Sequence, residues 1–265
     1  MKSSIIIVSI FCAASIFAAP PHSNGVVLPV SAASQLLIPV AGSTPGANGT
    51  FFRSEITLVN FASHDQQVQL QWLPQGGGST PTKTVTIPAQ NGTRSSDFVA
   101  TVLGQSGLGA IIVSGVTSTG AVDPTALLWA SSRIWTNEPG TSGTTSQSLP
   151  AIPLNGLFSG TTAGLFSVGG ADNPANYRVN VGVVNLTATS QTYAVTQQGG
   201  TTNFVIVPAM SMAQVSVATG TSSTQQILIQ NVTGGTVAPN SWIAYGSTVD
   251  NVTGDAWSEL AVPGQ

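Results

Sequence analysis

Thiol, imidazole and charge are all scarce in this chain: of 265 residues, one is Cys, two are His, six are Lys or Arg and nine are Asp or Glu. The single Cys12 sits in an apolar run near the N-terminus, so the body of the protein has no thiol. Thiolate zinc sites, cysteine nucleophiles and internal disulfides are thereby excluded, and packing alone must hold the fold. With so few Lys and Arg there is no cluster to neutralise a phosphate backbone, which excludes nucleic acid as a partner. Apolar residues nowhere recur at i, i+3, i+4, i+7 for long enough to make a stable helix, although Val99 to Leu108 has room for one turn. Also missing are a Gly-x-Ser-x-Gly elbow, a His-Glu-x-x-His pair and a phosphate loop. His22 lies in a Pro-rich stretch and His64 in a polar turn beside Asp65. The expectation is a protein that is not an enzyme and has no cofactor.

What is present begins with Lys2, an apolar run from Ile5 to Phe17, and the small residues Ala18 and Ala19. This is the layout of a cleaved secretory signal, residues 1–19, too short to span a bilayer with ease. Residues 20–34, rich in Pro, Ser, Asn and Ala, read as a tether. The expected location is extracellular or periplasmic, with no membrane contact once the signal is removed. Loss of Lys2 moves the formal net charge from −3 to −4. At 42% hydrophobic residues, the remaining chain of about 245 residues can bury the cores of two domains.

Alternation of period two marks the strands. Phe51 to Asn60 sets Phe52, Ser54, Ile56 and Leu58 against Arg53, Glu55, Thr57 and Val59, and Val68, Leu70 and Trp72 alternate with Gln67, Gln69 and Gln71 in its hairpin partner. Further strands are expected at Thr82–Ile87, Arg94–Val99, Ala110–Val113 and Ala126–Trp135. Ala41 to Gly49, laden with Gly and Pro, reads as a loop that cannot continue a strand. The pattern then returns: Tyr177–Asn185 repeats Phe52–Asn60, Phe204–Ala209 repeats Thr84–Ala89, and Ser241–Val249 repeats the Leu128–Trp135 region with Ser247 set against Ser132. Ile38-Pro39, Ile152-Pro153 and Val262-Pro263 stand 114 and 110 residues apart. A period of that length is a domain duplication, with domains at 35–153 and 154–265. Short strands separated by Gly, Asn and Pro turns predict all-β architecture, two tandem antiparallel sandwiches of about seven strands each.

The segments Asn48-Gly-Thr-Phe-Phe-Arg53, Leu58-Val-Asn60, Ile87-Pro-Ala89 and Val249-Asp-Asn-Val-Thr-Gly-Asp255 resemble those of tandem immunoglobulin-like modules in secreted proteins of environmental bacteria. The likeness covers nearly all of the chain after the signal. It implies the immunoglobulin-like fold and no established activity. The first half departs from the final segment, having Trp135-Thr-Asn-Glu-Pro in its place.

Several residues carry candidate chemistry. Arg53 and Arg178, each beside an aromatic, suit either a grip on a partner's carboxylate or a structural staple that stacks on the ring and bonds backbone carbonyls; the staple is favoured. Asn60 and Asn185 close matching strands and read as structural, tolerating left-handed backbone and bonding their own turns. Asp250, Asn251 and Asp255, with Asp172 and Asn173, are the densest oxygen ligands, but their spacing fits no calcium loop, so no metal is expected and Asp250 and Asp255 are weak candidates. Trp135 and Trp257, next to polar loops, could form a stacking platform for sugars, whereas Trp72 and Trp242 belong in cores. Asn-x-Ser/Thr acceptors occur at Asn48, Asn91, Asn185, Asn231 and Asn251. The leading expectation is a secreted structural, adhesion or matrix protein whose partners are cell-surface or matrix polymers or proteins, with self-association through edge strands. A carbohydrate-binding module using Trp135 and Trp257 is the alternative, and a hydrolase with an inter-domain site a third.

Overall fold

The computed structural model describes residues 31–46, 49–138, 142–169, 174–217 and 225–264. The expected signal, residues 1–19, and most of the expected tether lie outside these residues, as do His22, Asn48, Asp172 and Asn173. Among the described residues eighteen strands account for the fold. The first nine are β1 (Gln35–Pro45), β2 (Phe51–Asn60), β3 (Gln66–Pro74), β4 (Thr82–Ile87), β5 (Asn91–Ser95), β6 (Gly107–Val116), β7 (Leu128–Asn137), β8 (Thr144–Pro150) and β9 (Ile152–Pro153). The rest are β10 (Thr162–Val168), β11 (Tyr177–Asn185), β12 (Gln191–Gln197), β13 (Thr202–Val207), β14 (Ser211–Val217), β15 (Gln225–Asn231), β16 (Trp242–Asp250), β17 (Ala256–Leu260) and β18 (Val262–Pro263).

The protein is all-β, and every pairing between these strands is antiparallel. In the N-terminal half one layer runs β4-β3-β6-β1-β9 and the other β5-β2-β7-β8; the far end of β1 also pairs with β2, which ties the two layers into one nine-stranded sheet. In the C-terminal half the layers are β13-β12-β15-β10-β18 and β14-β11-β16-β17. Adding nine to each label of the first half reproduces the second. Each half thus has nine strands where about seven were expected: the two-residue β9 and β18 are too short to show any alternation, and β8 and β17 carry no clean alternation of apolar residues.

The expected loop at Ala41–Gly49 is corrected: strand β1 continues through Pro45. Its register slips between Ile38 and Ala41, then resumes with Ala41 opposite Gly109 and Ser43 opposite Gly107. A bulge there absorbs Pro39, which has no donor for a ladder bond. The same slip recurs in β10 between Leu165 and Val168. The strand expected at Arg94–Val99 lies earlier, at β5. Beyond it Phe98 and Val99 are buried at the start of a π-helical turn, Val99–Leu103, that Gly104 closes with φ 66°. Within the stretch expected to be a tether, Ala33 exchanges backbone bonds of 2.9 and 3.0 Å with Leu128.

Two apolar clusters fill the interior. One lies between the layers of the first half and contains Ile38, Ile56, Leu58, Val68, Leu70, Trp72, Phe98 and Ile111. The other fills the second half around Trp242, Tyr193, Val181 and Ile229, and runs without a break into Leu37, Val40, Leu73, Ala110, Ile112 and Leu149 of the first. The outer side of β3, β6 and β1 therefore packs on the second half. Polar bonds line the same seam: the Gly76 amide donates to the Met212 carbonyl at 3.0 Å, Ser211 Oγ to the Pro74 carbonyl at 2.7 Å, and Ser258 Oγ to the Ser148 carbonyl at 2.8 Å.

Candidate functional site

Asn60 and Asn185 close β2 and β11 fully buried. The Asn60 side-chain amide donates to the carbonyls of His64 at 2.8 Å, Ile87 at 3.2 Å and Pro88 at 3.2 Å, while its oxygen accepts from the Ala62 amide at 2.9 Å. Asn185 does the same with Thr189 at 2.9 Å, Val207 at 3.1 Å, Pro208 at 2.9 Å and Thr187 at 2.9 Å. One side chain thus ties its own turn to the Pro-Ala end of β4 or β13. Left-handed backbone is found not at these asparagines but just after that Pro-Ala pair, at Gln90 (φ 50°) and Met210 (φ 47°). The Asn185 nitrogen, part of an Asn-x-Thr sequence, is buried and bonded in the folded protein.

The outer face of β5-β2-β7-β8 gathers most of the charge of the first half. The Arg53 guanidinium lies 4.8 Å from the Phe51 ring and 5.4 Å from that of Trp135, and its Nε stands 3.7 Å from Asp97. The Trp135 indole in turn donates to the Ser96 carbonyl at 2.9 Å. Glu55 accepts from Arg94 and lies 3.7 Å from Arg133, whose Nε donates to Ser146 Oγ at 2.9 Å. These charges satisfy one another, and pairs as open as these contribute about 0–1 kcal/mol each. Trp129 shares the face, since β7 residues of odd number point the same way.

The equivalent face of β14-β11-β16-β17 is turned inward against the first half. Register pairs Arg133 with Glu55 and Ser247 with Asn180, so Ser247 answers to Arg133, and Ser132 to Gly246. The sequence alignment of Ser132 with Ser247 was one residue out, and one residue moves a side chain to the opposite face. Ser132 donates inward to the Val40 carbonyl at 3.2 Å, whereas Ser247 bonds Gln147 across the seam at 2.9 Å. Beside it the Tyr245 ring lies over Gly182, where an added Cβ would stand 2.1 Å from the ring. The Tyr245 hydroxyl is buried with no hydrogen-bond partner among the described residues, and burial pushes its pKa well above the usual tyrosine value, so it stays neutral.

A cleft of ≈ 300 Å³ opens along the seam, lined by Val40, Leu108, Asn180, Gln214 and Tyr245 among others. A second, of ≈ 240 Å³, is lined by Thr136, Glu138, Thr145 and Asp250. Arg178, Phe52 and Gln147 border both. Arg178 donates to the Asn251 side-chain oxygen, and burial lowers its pKa. Asp250 is committed to its own turn: its carboxylate accepts from the Val252 amide at 2.7 Å and from Thr253 Oγ1 at 2.9 Å, bonds that hold its pKa below the usual carboxylate range. Asp255 accepts from the Ala256 amide at 3.0 Å. Among the described residues no group of three or more His, Cys, Asp or Glu side chains is placed to hold a metal ion.

Trp135 and Trp257 do not share a sheet. Trp257 pairs with Thr248 on the core side of β17 and meets Tyr177 edge-on, with ring centroids 5.7 Å apart. Both indoles are half-buried. Trp72 and Trp242 are core residues, with Trp242 packed between Phe158 and Tyr193 at 4.9 and 5.1 Å. Sequence reasoning missed Tyr245, whose pairing with Gly182 depends on the β11–β16 register. No family model matches the chain, and no match was found among the curated proteins.

Proposed function

We propose that this chain is a secreted, non-catalytic structural or adhesion protein, built of two immunoglobulin-like β-sandwiches in tandem behind a cleaved signal. The observation that carries the reading is the apolar cluster that continues from the second half into Leu37, Val40, Leu73 and Leu149 of the first. A seam packed in this way makes the pair a stiff body rather than two beads on a linker, as suits a load-bearing or surface-presenting module. Strand orders related by a shift of nine, and the duplicated Asn60 and Asn185 networks, support descent of both halves from one module. The test is incubation of the purified chain with cell-wall and matrix material, followed by assay of both bound protein and soluble products. Retention without release of sugars or peptides is expected; product release would replace this reading with the hydrolase.

A second reading, glycan binding, is favoured by Trp129 and Trp135 on one face of β7, with Trp129 rather than Trp257 as the companion ring. Amphipathic rings in a row suit sugar stacking. Loss of retention on insoluble polysaccharide in both Trp129→Ala and Trp135→Ala would establish it.

A further inference from the structure

The outer face of β13-β12-β15-β10-β18 is uncharged and uncovered, and it sets exposed apolar side chains among Thr162, Thr192, Thr196, Thr202 and Gln230. Phe204 and Ile206 on β13 are 70% and 66% exposed, and Leu228, Phe166 and Val262 are 43%, 49% and 51% exposed. The register sets Phe204 beside Ala194, and Leu228 beside Gly164, which is itself beside Val262. The Phe166 ring lies over Gly164, where a Cβ would stand 2.8 Å from it. Among the described residues, none that the register places on this face is charged. Glu259, from the other layer, stands at the rim, where it accepts from the Phe166 amide at 2.9 Å.

The first half shows what such a face is for. By register Leu228 answers to Ile112, Gly164 to Leu37 and Val262 to Ile152. Leu37 and Ile112 are buried in the cluster shared with the second half, and Ile152 packs against it. At the end of the face that the second half leaves open, the first half carries Thr84 and Thr86, both exposed. The second half has Phe204 and Ile206 at those two places. It therefore carries apolar side chains both where its counterpart is covered, at Leu228 and Val262, and where its counterpart is wet, at Phe204 and Ile206.

We infer that this face is covered by the same face of a second copy of the chain, in a two-fold dimer centred on β12 and β15. A face without charge complements itself, whereas the other outward sheet presents Arg53, Glu55, Arg94 and Arg133 already paired in solvent. Burying those groups under an apolar face would strand them, so a head-to-tail chain of copies is disfavoured. Four strands of six or seven residues span roughly 20 by 20 Å and the two-residue β18 adds a corner, which buries on the order of 800–1,000 Å² over both copies, the size of a weak, transient dimer. Contact through a face differs from pairing at strand edges, because it uses side chains and leaves the ladder untouched.

The inference goes beyond the adhesion reading, and the test separates the two. The full chain and Phe204→Thr/Ile206→Thr, which installs the residues of the first half, are sedimented from about 1 to 100 µM, with circular dichroism to confirm equal folding, and both are applied to matrix material. A dimer that dissociates on dilution is expected, with dimer affinity at least 100-fold weaker in the double variant. A wild-type monomer at 100 µM, an open-ended series of larger species, or a variant that dimerises equally well would overturn the dimer. Monomeric wild type whose retention on matrix material or lipid vesicles is lost in the double variant would also overturn it, while assigning the face to that partner. A dimer with no retention on any matrix would uphold this inference and sink the adhesion reading.

Discussion

At the scale of single residues, the side chains that matter most are those whose polar atoms are buried. Asn185 offers five bonds to one turn and to the end of β13, since Thr187 Oγ1 also donates to its oxygen at 2.7 Å. Replacing it with Ala leaves three carbonyls and an amide without their partner inside the fold, at about 1–3 kcal/mol for each group that water cannot reach. Asn185→Ala is expected to lower stability by about 3 kcal/mol or more in urea unfolding, and Asn60→Ala by a similar amount. Tyr245 is the opposite case. Its hydroxyl is buried and unpartnered, so Tyr245→Phe removes a desolvated group and is expected to leave stability unchanged or raise it by about 1 kcal/mol. A loss above 1 kcal/mol in the same assay would show that the hydroxyl holds a bonded water or ligand in the seam.

At the scale of elements, the turn that joins β16 to β17 closes through the Asp250 carboxylate. Its bonds to the Val252 amide and to Thr253 depress the pKa, so the contribution to stability is present above the unfolded value near 3.9 and fades as pH falls through the folded one. In melting curves from pH 2 to 7, wild type is expected to exceed Asp250→Ala above about pH 4 and to converge with it near pH 2. A difference independent of pH would mean that the charge plays no part. Strands were legible where alternation is clean: β2 spans Phe51–Asn60 and β4 spans Thr82–Ile87, the ranges the pattern predicts. β1 was not, because the bulge that carries Pro39 through the strand is defined by its partner β6. The β16 alignment slipped by one for the same reason, as strand register belongs to the pair.

At the scale of the whole molecule, the shared cluster couples the two halves. Calorimetry is expected to give one unfolding transition whose calorimetric and van't Hoff enthalpies agree. Two resolved transitions would mean that the seam is a weak docking contact and would remove the main support for a stiff structural body. The seam also explains an asymmetry between the halves. Equivalent sheet faces carry Arg53, Glu55 and Arg133 where the face meets water, and Arg178, Asn180 and Ser247 where it is packed. Two of the three positions are neutral on the packed face, as a buried charge needs a partner.

The sequence by itself determined the all-β class, most of the strands and the core placement of Trp72 and Trp242, because alternation and burial are local properties of the chain. It also marked both ends of the asparagine device, Leu-Val-Asn and Ile-Pro-Ala, without revealing that they bond each other. Only the tertiary structure decided that pairing, the surroundings of Trp135 and Trp257, and which outer faces are packed and which are open. These depend on register and on contacts between residues about a hundred positions apart, such as Gln147 with Ser247, and no local pattern encodes them.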